Sequence, residues 1–117
     1  MALIRLKLQE HPAPPHLDTR QKSVLDSGGS VVGMVANLYV DEDGRQLRFV
    51  DVLTSDFLGL ERKHHLVPME VVSLEDPGSI TLRVNQETVE SAPDFPNPHV
   101  VPDEEHQRTI REHYGYS

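Results

Sequence analysis

The sequence predicts an all-β fold, a small barrel with a short helical C-terminal tail. Three observations carry that expectation. Short runs of alternating apolar and polar residues recur between Lys22 and Val84, the period of strands with one buried face. Glycine, proline and acidic turn residues punctuate those runs. Helix-capping residues gather mainly beyond position 84.

The elements follow in order. Ala2 to Gln9 alternates, with Ile4, Leu6 and Leu8 on one side and Arg5, Lys7 and Gln9 on the other. His11-Pro12-Ala13-Pro14-Pro15 ends the run, because proline brings no amide donor and restricts the residue before it. Residues 1–17 are therefore an extra edge strand or a flexible arm. Lys22 to Asp26 reads as a short strand, and Ser27-Gly28-Gly29-Ser30 as a turn. Val31 to Val40 is the next strand, where Gly33 signals a bulge or a close backbone approach. Asp41-Glu42-Asp43-Gly44 then makes a hairpin into Gln46 to Thr54.

On this second strand Leu47, Phe49 and Leu53 share a face with Asp51, while Arg48, Val50, Val52 and Thr54 take the other. Apolar groups on both faces predict a barrel wall covered outside by a helix, a tail or a partner. Ser55 to Lys63 reads as a loop and His64 to Val67 as a brief strand stopped by Pro68. Met69 to Leu74 is one helical turn or an extended stretch, Pro77-Gly78 a turn, and Ser79 to Val84 the last strand. Asn85 caps a short helix, Gln86 to Ser91, that Pro93 ends. Pro93, Pro96, Pro98 and Pro102 make residues 92–102 an extended linker. Asp103 caps a second helix, Glu104 to His113, which Gly115 closes. Only Ile110 and Tyr114 give this helix an apolar face, so it must dock or fray.

Composition bounds the function. The chain has 117 residues, one domain's length. It has no cysteine, which excludes disulfides and thiolate chemistry and suits a reducing cytoplasm. Its net charge of −8 repels nucleic acid phosphates and anionic lipid. Residues 86–117 alone carry seven acids against Arg108 and Arg111. No apolar run approaches the ~18 residues of a membrane span, and the N-terminus lacks a signal-peptide pattern. A cytoplasmic protein with no direct nucleic acid contact and no membrane insertion is the expectation.

Candidate chemistry is sparse. His106 and His113 are separated by about 10.5 Å along a helix, too far for one ion. His64 and His65 should point to opposite faces of a strand. Asp41 to Gly44 lacks calcium-loop spacing, and Gly28 to Gly33 matches neither common phosphate-loop pattern. Asp51 reads as an exposed strand end or an arginine's partner; buried, it would have a raised pKa and could relay protons. Catalytic residues, metal ligands and a cofactor are therefore expected to be absent. Phe57-Leu58-Gly59-Leu60 places large apolar residues in a loop, either as a lid on the barrel or as a patch for a partner.

DTRQKSVLDSGGSVVGMVANLYVDEDGRQLRFVDV, then DFLGL and HHLVPMEVV, then ITLRVNQETVESAP, together resemble the PRC-barrel family in order and spacing. The tail, with PDEE and IREHYGYS, is similar to that of some stand-alone bacterial members. The resemblance implies a PRC-like barrel over residues 18–92, an arm before it and a proline-rich linker with a helix at 93–117. It implies a non-catalytic adaptor that binds another protein, expected here as a homodimer, with Phe57, Leu58, Leu60, Ile110 and Tyr114 as candidate partner-binding residues. Two alternatives come from relatives: a ribosome- or RNA-processing-associated factor, and a proton-relay or electron-transfer accessory like the reaction centre H subunit. The H subunit's membrane helix and the ribosome maturation factor's N-terminal domain have no counterpart in residues 1–20.

Overall fold

A computed structural model describes residues 2–55 and 59–116. Seven strands are present: β1 (Leu3–Arg5), β2 (Ser23–Leu25), β3 (Val31–Asp41), β4 (Leu47–Ser55), β5 (Arg62–Pro68), β6 (Val72–Asp76) and β7 (Ser79–Leu82). A 3-10 turn, Met69–Val71, joins β5 to β6, and two helices follow, α1 (Gln86–Glu90) and α2 (Glu104–His113). The strands form one sheet in the order β5-β4-β3-β2-β7-β6, with β1 alongside β3. All pairs are antiparallel except β2 with β7. The all-β expectation holds, with helix after the last strand.

Long β3 organises the sheet. One edge pairs with β4 from Met34 to Val40. Its other edge takes β2 at Val31 to Met34 and β1 at Tyr39 to Asp41. Gly33 sits beside the bulge where β2 shifts register, and its Cα closely approaches β4. A Cβ there would drive into the Leu53 carbonyl. Both readings of this glycine, bulge and close approach, are realised.

The hairpin closes on Asp41, whose carboxylate accepts from the Gly44 amide at 2.7 Å while its backbone amide donates to the Gln46 carbonyl at 3.0 Å. The short helices start where the capping residues place them. Asn85 accepts from the Thr88 amide and Asp103 from the His106 amide. Gly115 takes a positive φ of 88° at the end of α2.

One core joins the sheet to both flanks. Val24, Val35, Val52, Val67 and Ile80 fill the barrel, while Leu6 from the arm and Phe95, Ile110 and Tyr114 from the tail belong to the same buried cluster. β4 is buried on both faces from Phe49 to Val52. The tail supplies the outer cover: Phe95 packs edge-on against Tyr39, and the Tyr39 hydroxyl donates to the Pro98 carbonyl at 2.6 Å. The marginal α2 is thus held by docking, with Gln107 donating to the Pro102 carbonyl and His113 to the Thr88 carbonyl.

The N-terminal arm differs from its alternation. β1 ends at Arg5, Leu6 is buried and Leu8 is 86% exposed, so Ile4, Leu6 and Leu8 do not form one stripe. The reason is Arg20, which turns the chain. Its guanidinium donates to the carbonyls of Lys7 (2.9 Å) and Glu10 (2.5 Å) and to Asp18. The Arg20 side chain in turn holds the Asp18 carboxyl down at about 2. A second difference is β5, which begins at Arg62, inside the stretch read as a loop.

Two variants test this account. Gly33→Ala should lower unfolding free energy by about 1–3 kcal/mol or more, the usual cost of overpacking, measured by urea denaturation. An unchanged midpoint would mean that β3 and β4 can separate without loss. Arg20→Ala should speed amide exchange at Leu6, whose N–H donates to the Leu38 carbonyl, while Val35 and Val52 stay protected. Unaltered exchange at Leu6 would show that β1 alone anchors the arm.

Candidate functional site

Two surfaces of the sheet have opposite fates. The outer face of β3, β4 and β5 lies under the tail. At its centre is Asp51, opposite Asn37 in the register and fully buried. Asn37 Nδ2 donates to Asp51 Oδ2 at 2.9 Å, and His64 Nδ1 donates to the same oxygen at 2.7 Å. Arg5 donates onward to Asn37 Oδ1 at 3.3 Å. Among the described residues Asp51 Oδ1 has no hydrogen-bond partner.

Burial pushes the Asp51 carboxyl above the ordinary range, and Asn37 and His64 oppose that rise. The reading of Asp51 as a strand end or an arginine's partner is corrected. Covering β4 on both faces leaves its one acid no route to water, and its cation-capable partner is a histidine. His64 is less deeply buried and borders a cleft of about 240 Å³ beside Asp94, Phe95 and Pro96.

The outer face of β6, β7, β2 and the start of β3 presents a different surface. Paired residues share a face, and two register rows cross it. One runs Leu74, Thr81, Leu25, Val31 and the other Asp76, Ser79, Ser23, Met34. Leu74 is 52% exposed and Val31 64% exposed, whereas Ile80 and Leu82 on the opposite face are buried. Among these eight side chains only Asp76, at the edge, carries a charge. On a chain of net charge −8 this strip, charged only at its Asp76 edge, is sparsely charged and partly apolar.

The candidate partner-binding residues fall into three groups. Phe57 and Leu58 lie outside the described residues. Leu60 is 81% exposed. Ile110 and Tyr114 are buried in the chain's own core, where the α2 face that was expected to seek a cover has found the barrel. Val31, Leu25 and Leu74 were not among the expected interaction residues. Their row depends on β2 pairing with β7 across more than fifty residues, and no local pattern announces that.

The histidines disperse. His64 and His65 do point to opposite sides. His11 lies 3.0 Å from Asp18 and His16 2.9 Å from Glu75. Among the described residues no three His, Asp or Glu side chains are placed to hold one ion. No helix among them is long and apolar enough to cross a membrane.

Comparison with known families gives one result. The family model described as "PRC-barrel domain" matches residues 18–88, more than half of the chain. No curated protein matches.

The buried acid makes a pH prediction. A carboxyl whose folded pKa is raised binds its proton more tightly in the folded state. Its contribution to stability therefore falls as pH rises from about 4, the unfolded value, through the raised folded value. Asp51→Asn should abolish that decline, seen as a difference between the two stability–pH curves from urea titrations. Parallel curves across this window would show that Asp51 does not titrate with folding.

Proposed function

We propose that this chain, which belongs to the PRC-barrel domain family, is a non-catalytic adaptor that works by binding other proteins and that pairs with itself. The sparsely charged strip across β6, β7, β2 and β3 carries this reading. Two copies, each of net charge −8, repel over most of their surfaces. They can approach where charge is sparse and where Val31, Leu25 and Leu74 offer apolar area to bury. The dimer then leaves the acidic C-terminal segment free to steer a partner with a basic rim, since charge governs encounter more than affinity.

A reducing compartment such as the cytoplasm suits a chain without cysteine. Within this reading the partner identifies the pathway. Ribosomal proteins retained by the immobilised chain would favour the ribosome-associated role over a general adaptor. Asp51 and His64 favour a second reading, proton handling. A buried carboxyl and a partly accessible imidazole 2.7 Å apart can pass a proton between the covered face and water.

The dimer is tested by light scattering at tens of micromolar protein. The wild-type mass should be twice 13.2 kDa. The double variant Val31→Glu, Leu74→Glu should run at 13.2 kDa with an unchanged circular dichroism spectrum, because both side chains are exposed. A wild-type mass of 13.2 kDa would remove self-pairing from the proposal.

A further inference from the structure

His65 is a buried imidazole that no described residue satisfies. It stands on β5 at 2% exposure, and among the described residues neither ring nitrogen has a hydrogen-bond partner. Buried polar groups without partners are costly and rare. His65 stands in the wall of a cleft of about 520 Å³, shared with Glu61, Lys63, Gln86 and Glu90, with both ring nitrogens buried. Burial pushes the imidazolium down, so the neutral ring offers one N–H and one lone pair.

The charges that act on the ring come from several elements. Glu90 of α1, Asp94 of the tail and, from the opposite face of the sheet, Asp51 of β4 are acidic, while Lys63 of β5 is basic. Lys63 lies 3.6 Å from Glu61, which offsets it. Glu90 accepts from Gln86 Nε2 at 2.6 Å, and among the described residues no basic side chain pairs with it. The field at the cleft is therefore negative, and it disfavours an anionic guest.

We propose that the cleft over His65 is a binding site for a guanidinium group, an arginine side chain of a protein partner that Glu90 and the His65 lone pair receive together. The identity of that partner as a protein rests on the adaptor reading. The chemistry of the guest does not. A guanidinium carries donors in a flat fork that can meet a carboxylate with two of them and still present another N–H to an imidazole. It is more weakly hydrated than an ammonium and so loses less on entering a cleft. The site thus supplies the missing partner of His65 and the missing cation of Glu90 with one group.

The test uses the whole chain, labelled with nitrogen-15, and N-acetyl-arginine amide as the probe. The His65 ring nitrogens should shift saturably, with a dissociation constant on the order of 1 mM or tighter. N-acetyl-citrulline amide, of similar shape without the charge, should bind at least about tenfold more weakly. Glu90→Gln should weaken the arginine probe several-fold without moving the thermal midpoint, because Glu90 is exposed on α1. No saturable shift at His65, or equal shifts from the citrulline probe, would overturn the site. Equal binding of N-acetyl-lysine amide would overturn the guanidinium assignment. The adaptor reading is judged separately, by whether the chain retains a protein in stoichiometric amount. Retention without probe binding would remove the site alone, and probe binding without retention would keep the site and remove the adaptor reading.

Discussion

The constraint on which the rest depends is that the middle of β4, from Phe49 to Val52, cannot meet water on either side. Val50 and Val52 face one way, Phe49 and Asp51 the other, and all four are buried. A strand of this kind needs two covers. The barrel interior supplies one. The other has to come from outside the barrel, and here the proline-rich segment and α2 provide it. The docking of Phe95, the bond from Tyr39 to Pro98 and the burial of Ile110 are consequences of that requirement. The burial of Asp51 is another, since the acid is enclosed with the apolar residues around it.

The same requirement explains why the two sheet surfaces differ. The tail is long enough to cover the β3-β4-β5 side, and it does so with apolar residues. The β6-β7-β2 side receives no such cover, and its residues are accordingly small, polar or only modestly apolar. Serine and threonine alternate there with Leu25, Val31 and Leu74. Charge is distributed in a complementary way. The arm and the hairpin spend their acids locally, with Asp18 on Arg20 and Asp41 on Arg48. Many of the tail's acids stay at the surface, where they set the long-range field.

What the sequence made legible was local. Asn85 and Asp103 announced their helices because a cap acts within three residues. Asp41 and Gly44 announced the hairpin, and Gly33 its own crowding. The apolar pattern on both faces of β4 announced that a cover existed but not which segment would provide it. What stayed hidden was non-local. Arg20 ordering the arm, Asn37 meeting Asp51, and β2 pairing with β7 each depend on where distant strands fall in the sheet. His65 was hidden for a further reason. An unsatisfied side chain is defined by the absence of neighbours, and a sequence pattern records only which residues are present.

The parallel pairing of β2 with β7 also sets a schedule. The strip bearing Leu25 and Val31 is incomplete until β6 and β7, at residues 72–82, lie beside it. A nascent chain that has exposed only the first three strands of the sheet has half of the strip and no mate for the free edge of β2. The self-pairing proposed for this surface would then be open only to chains in which β6 and β7 have joined the sheet. The arrival of β6 and β7 would act as a checkpoint for that assembly.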